Sequence, residues 1–245
     1  MDRKVKPPQD AFSKSSSPFN RIKGPIFIGR TWKEYEKMFN LESESLSELK
    51  ILDCAAGASS FRSHSAKKGI DVTALDLMYT HKAYDLCVKC EEHLKILVDS
   101  IKKIQDMFVW KFFSDPDDIR CVRNNACKEF ISDYRKYKGE HYIPADIQNL
   151  PFDDESYDLV LCSHLLFIYD HRLDYKFHLK AISEMLRVSK GELRIYPLVK
   201  NRGVKSEFVK KIMDDIPDVK MEIINVDYEF RKGSNEMLRI LKSER

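Results

Sequence analysis

The sequence predicts an α/β fold built on a parallel sheet, and three observations carry the prediction. Short apolar, partly β-branched runs alternate with helical patterns over residues 48–199. One such run, Leu49 to Leu52, leads into the small-residue turn Asp53-Cys54-Ala55-Ala56-Gly57-Ala58-Ser59-Ser60, which opens a helix. A second, Ile70 to Leu75, ends at an acid, Asp76, and closes a β-α-β unit.

A chain of 245 residues, 43% of them hydrophobic, is long enough to bury one large core. Its 42 basic and 39 acidic residues leave a formal charge of +3, far from the single-sign field of a dedicated nucleic-acid or membrane-surface binder. No apolar run approaches the roughly 20 residues that span a bilayer, and Met1 to Asn20 carries no signal-peptide stretch, so no membrane contact is expected and the cytoplasm is the expected location. Six scattered cysteines do not make a disulfide framework and are expected as reduced thiols.

Met1 to about Phe19 mixes Lys, Pro and Ser with little apolar surface and is expected to be a flexible tail, 1–20. A helical segment, 21–47, follows: Thr31 and Glu34 form a capping box, with Trp32, Tyr35, Met38 and Phe39 at helical spacing. After the turn, Phe61 to Lys68 reads as a helix stopped by Gly69. Between Asp76 and Tyr142 lie 65 residues, far more than a crossover needs, so a helical insertion is expected at about 79–139. Cys87, Cys90, Leu94, Leu97, Ile101, Ile104 and Phe108 predict one long helix. Ser114 or Asp115 caps a second, with Pro116 in its first turn and a stop at Gly139. Strands are expected at Tyr142 to Ala145, Tyr157 to Cys162 and Glu192 to Val199, with Leu173 to Val188 as a helix. A final hairpin joins Val219 to Phe230 and Glu236 to Leu241 through Lys232-Gly233-Ser234-Asn235.

Ligands of open parallel sheets sit beyond the carboxyl ends of the strands where strand order reverses, here the turn Asp53 to Ser60. Ala55, Gly57 and Ser59 are small enough for close backbone approach, and Ser59 or Ser60 caps the helix. Asp76 stands 19 residues beyond Gly57, the offset at which an acid accepts hydrogen bonds from ribose hydroxyls. The turn lacks two glycines of the pyrophosphate-binding G-x-G-x-x-G, which disfavours a nicotinamide dehydrogenase and favours an adenosine cofactor without pyrophosphate.

ILDCAAGASSF, 51–61, resembles the first motif of class I S-adenosylmethionine-dependent methyltransferases, (D/E)-x-G-x-G-x-G, departing from it at Ala55 and Ser59. ADIQNLPF, 145–152, is similar to the family's adenine-recognition segment. SYDLVLCSH, 156–164, resembles its fourth strand and loop, and LRVSKGEL, 186–193, its turn into the fifth strand. The resemblance implies a three-layer, Rossmann-like, seven-stranded sheet with an antiparallel C-terminal hairpin, the methyltransferase domain being 48–245. It also implies S-adenosylmethionine as cofactor and S-adenosylhomocysteine as product. Asp53 and Gly57 would lie near the methionine part, Asp76 at the ribose, and Asp146 with Ile147 at adenine, with Ala55, Ala56, Ser59, Leu77 and Ser163 as further cofactor contacts.

Methyl transfer needs in-line alignment and exclusion of water. His164, at the mouth of the fourth strand, is a candidate base with a near-neutral pKa, or a packing residue. The loop there has neither the Pro-Pro-Tyr motif of amino-directed nucleic-acid enzymes nor a Pro-Cys nucleophile, and Cys162 reads as strand core. Cys87 and Cys90 fall on the apolar stripe, and Cys121 and Cys127 on different helix faces, so no metal site is expected. Arg30, Trp32, Tyr35 and His81 are candidate substrate contacts. A small-molecule acceptor is the leading expectation. RNA or protein, prompted by the Lys-rich tail, and a non-catalytic cofactor-binding protein are the alternatives.

Overall fold

A computed structural model describes residues 22, 24–200 and 203–242. The tail expected at 1–20 therefore lies outside the described residues. The elements run α1 Trp32–Phe39, β1 Lys50–Cys54, α2 Phe61–Lys67, β2 Asp71–Leu75, α3 Ala83–Ile101, α4 Pro116–Tyr137, β3 Tyr142–Ile143, β4 Tyr157–Ser163, α5 Tyr175–Val188, β5 Ser189–Tyr196, α6 Glu207–Asp215, β6 Val219–Asn225 and β7 Glu236–Lys242. They form a seven-stranded sheet ordered β3-β2-β1-β4-β5-β7-β6, in which β7 alone runs against its neighbours.

The period-2 alternation of the strands sorts their side chains into two cores. Leu52, Cys54, Val160, Cys162, Leu193 and Ile195 pack against α5 and α6, while Ile51, Val72, Leu159 and Leu161 pack against α1 and α2. Cys162 is thus strand core, and burial pushes its thiol up to about 12. Strand order reverses between β1 and β4, so the carboxyl end of β1 opens at the switch point. Because β6 runs parallel to β5, the connection 226–235 leaves the same edge. Among the described residues no helix is long and apolar enough to cross a membrane.

Local signals were legible. Thr31 and Glu34 form the capping box, and Asp115 caps α4 ahead of Pro116, accepting from the amides of Asp117 and Asp118. Several expected boundaries are corrected by tertiary contacts. The helix expected to reach Phe108 ends at Ile101, because Phe108 instead stacks on Phe230 at 4.7 Å and Val109 N–H donates to Phe230 O. The strand expected to run to Phe230 ends at Asn225, and residues 226–230 turn toward the site. Tyr142 to Ala145 shortens to two paired residues ahead of Pro144, which has no N–H to give a ladder. The strand expected at Glu192 to Val199 begins and ends three residues earlier. Helix α6 is additional to the sequence expectation; Ser206 caps it, and Val209 and Ile212 bury its inner face.

Candidate active site

The turn after β1 is held from four sides. Ala56 N–H donates to Leu75 O at 3.0 Å, Gly57 N–H to Asp76 Oδ2 at 3.0 Å, Tyr79 Oη to Gly57 O at 2.8 Å, and Ser60 N–H to Arg30 O at 2.8 Å. Ala55 adopts φ +55°, a left-handed conformation costing an L residue about 1–2 kcal/mol. Gly57 has φ +60°, and a Cβ there would make only an ordinary van der Waals contact, with Phe27 Cδ2 at 3.9 Å. Asp76 Oδ1 accepts from Met78 N–H at 2.8 Å, capping the short turn Leu77–Thr80. Burial raises its carboxyl, and the two backbone amides oppose that. Each oxygen keeps a second lone pair.

A cavity of about 470 Å³ opens over this turn, within the range of about 300–1,000 Å³ typical of small-molecule sites. Sheet order divides its wall. On one side of β1 stand Ala55, Ala56, Gly57, Asp76, Leu77, Asp146 and Ile147, with Leu77 61% exposed. Across β4 and β5 stand Ser163, His164, Tyr196, Arg231 and Ser234, joined by Arg30 and Tyr35. Residues 24–28 form a roof: Ile26 N–H donates to Tyr169 Oη and Phe27 N–H to His93 Nδ1, both at 2.9 Å, and Arg172 Nη1 donates to Gly24 O at 3.1 Å.

Four residues expected at the site stand outside this wall. Asp53 is buried beneath it; Tyr35 Oη donates to Asp53 Oδ1 at 3.2 Å, and Oδ2 has no partner among the described residues. Burial, with the Asp76 charge adding to it, raises the Asp53 carboxyl well above its ordinary value. Ser59 turns inward, and its hydroxyl accepts from Phe61 N–H at 3.0 Å. The substrate assignment of Trp32 is corrected: its ring is buried, stacked on Phe61 at 5.2 Å and His64 at 5.1 Å. That of His81 is corrected likewise, since it is exposed and its carbonyl accepts from Tyr134 Oη and Lys138 Nζ. Asp146 stays in the wall while Oδ1 accepts from Gln148 N–H at 2.9 Å, a turn contact.

The second half is built around Glu34, which is fully buried. It accepts from Arg123 Nη2 at 2.9 Å, Tyr228 Oη at 2.8 Å and Thr31 N–H at 2.9 Å, with Arg30 Nη1 3.6 Å away. Arg123 Nη1 also donates to Gly29 O at 2.9 Å. Gly29 is required there, because a Cβ would meet Arg123 O at 2.4 Å and Cys127 N at 2.6 Å on α4. His164, at φ +56°, donates its N–H to Tyr196 O at 2.7 Å, and its Nδ1 lies 2.8 Å from Ser163 Oγ. Burial, then Arg30, Arg123 and Arg231, lower the imidazole well below its ordinary value, so the near-neutral expectation is corrected and the ring is neutral at pH 7. Arg123, Tyr196, Arg231 and Ser234 were not singled out from the sequence. The parallel direction of β6, which brings connection 226–235 to the carboxyl edge, was the available signal for the last two. No group of three His, Cys, Asp or Glu that could hold a metal occurs among the described residues.

Residues 110–194 match a family model described as a methyltransferase domain. Over 220 residues the chain is 37% identical to Uncharacterized protein MJ0045 of Methanocaldococcus jannaschii, covering 89% of this chain and 97% of that one. Solved structures with a similar fold include magnesium protoporphyrin IX methyltransferase from Synechocystis with bound SAM (16% identity, 82% of this chain and 73% of that one, TM-score 0.43). Another is a putative S-adenosyl-L-methionine-dependent methyltransferase from Methanococcus maripaludis (14%, 87% and 84%, TM-score 0.46). A third is the N-methyltransferase NodS from Bradyrhizobium japonicum (13%, 94% and 99%, TM-score 0.45). The chain therefore belongs to one family with the Methanocaldococcus protein, and residues 110–194 of its seven-stranded α/β fold match a methyltransferase domain.

Proposed function

We propose that the enzyme methylates a small molecule bound in the second half of the cavity, and that the first half holds S-adenosylmethionine. The donor set suits that cofactor: small residues lining the cavity at Ala55–Gly57, a carboxylate with spare lone pairs at Asp76, and a polar-apolar pair at Asp146 and Ile147. Asp76 accepts from the ribose hydroxyls, Asp146 and the Ile147 backbone meet the adenine edge, and exposed Leu77 covers its face. The turn Ala55–Gly57, with Ser163 across from it, borders the methionine part. Asp53 and Ser59 act from behind, one holding Tyr35 in the wall and the other accepting from the Phe61 amide at the start of α2.

When bound, the cofactor supplies an electrophilic methyl group on a sulfonium. The chain's task is then to align the nucleophile and exclude water. The roof over 24–28 serves the exclusion, and Tyr35, Tyr196 and His164 border the acceptor. A neutral His164 accepts a hydrogen bond from an acceptor hydroxyl or amine and so orients it for attack.

The single observation carrying the small-molecule reading is that this half lies in a concave cavity lined by residues 24–28, Arg123 of α4 and the connection 226–235. Incubation with methyl-labelled S-adenosylmethionine and separated metabolite, RNA and protein fractions tests it. Label is expected in the metabolite fraction; label confined to RNA or protein overturns it.

A further inference from the structure

The second half of the cavity carries more positive charge than its protein neighbours neutralise. Arg231, half-buried in the wall, has its guanidinium 5.0 Å from the Phe108 ring centroid. No carboxylate among the described residues pairs with it, and burial alone disturbs its ionisation. The Arg30 side chain is 15% exposed and, among the described residues, reaches one carboxylate, Glu34 at 3.6 Å, which Arg123 and Tyr228 already engage. Two guanidiniums, of Arg30 and Arg123, therefore share one carboxylate that stands outside the wall, and Arg231 has none among the described residues. A charge withdrawn from water without a partner is costly, so its presence beside a cavity points to a ligand that brings the counter-charge. The surrounding wall is apolar, with Leu97, Phe108, Ile168 and Phe230.

The competing anion is the cofactor's own carboxylate. Arg30 is the group near it, because its carbonyl receives the Ser60 amide of the β1 turn. Arg231 stands across the cavity, in the connection beyond β5 and β7. A guanidinium offers paired N–H donors that match a carboxylate. We propose that the methyl acceptor is an organic acid, an apolar body bearing a carboxylate that Arg231 holds. This assignment rests on the small-molecule reading above and names its substrate class.

The test is calorimetric titration of the full chain, saturated with S-adenosylhomocysteine, using 4-phenylbutyrate, 4-phenylbutylamine and inorganic phosphate. The acid is expected to bind at least about tenfold more tightly than the amine of the same body. Arg231→Gln removes that preference while S-adenosylhomocysteine affinity stays within about twofold, and Arg231→Lys, which keeps the charge, restores part of it. Equal binding of acid and amine, or no binding of the acid to the cofactor-product complex, overturns the proposal alone. Phosphate binding more tightly than the acid replaces it with a phosphorylated acceptor. Loss of S-adenosylhomocysteine affinity in both folded Arg231 variants transfers Arg231 to the cofactor and overturns it. Failure of the wild type to bind S-adenosylhomocysteine overturns the cofactor reading beneath it as well.

Discussion

Glu34→Gln removes one charge from the centre of the acceptor half while keeping the side chain's shape. Glu34 is 0% exposed and accepts from Arg123, Tyr228 and Thr31, with Arg30 nearby. Every close neighbour is a donor, and a glutamine amide must turn its own NH2 toward one of them. Arg123, 1% exposed, then loses the carboxylate that balances it. Breaking a buried pair by removing one partner costs about 3–5 kcal/mol, a large share of the ~5–15 kcal/mol that holds a typical domain. At about 2–4 °C per kcal/mol for a chain of this size, melting falls by roughly 6–20 °C. Thermal and urea unfolding followed by circular dichroism at pH 7 measure the melting shift and the free-energy loss. Asp227→Asn, which breaks the exposed pairs to Lys37 and Lys111, serves as the control and leaves the midpoint in place. The pH dependence adds a second check. Burial alone would raise the Glu34 carboxyl, but Arg123 and Arg30 outweigh it and hold it below its ordinary 4.5. A carboxyl lowered by folding contributes stability that is complete above the unfolded value and is lost as pH falls through the folded one. The difference between wild type and Glu34→Gln therefore stays level from neutrality to about pH 4.5 and narrows below it. A loss under about 1 kcal/mol at pH 7, the scale of a surface pair, would refute the reasoning.

Three further outcomes are expected. Asp76→Ala weakens S-adenosylhomocysteine binding by about 1–3 kcal/mol in calorimetry, and unchanged affinity removes the ribose assignment. His164→Asn lowers turnover by about 100-fold or more with cofactor affinity unchanged, whereas wild-type turnover makes it a packing residue. Ala55→Gly relieves the left-handed backbone and, after the added freedom of the unfolded chain, raises stability by about 0.5–1 kcal/mol in chemical denaturation; a lowered midpoint contradicts the strain.

What could be foreseen from the sequence follows a physical division. The capping box at Thr31, the cap at Asp115 and the β1 turn with Asp76 are local, set by side chains within a few residues or by one β-α-β unit. The acceptor half is not local. Glu34, Arg123 and Tyr228 meet only because the sheet order brings α1, α4 and the connection 226–235 to one edge. Apolar spacing could not show that Phe108 leaves its helical register for Phe230, or that Trp32 faces Phe61 rather than a substrate. His81 looked available because it follows Asp76 closely, yet the turn Leu77–Thr80 carries it to the surface.

The carboxylate shared by Thr31, Arg123 and Tyr228 also bears on how the chain folds. Its contacts join positions 89 and 194 residues apart, whereas the bond from Gly57 to Asp76 spans 19. Distant contacts form late, because the entropy of closing long loops precedes any return from them. During synthesis the donor side can take shape while the last strands are still emerging, and the acceptor side has to wait for Tyr228. The same ordering makes the docking of the C-terminal hairpin the step that completes the second half of the cavity.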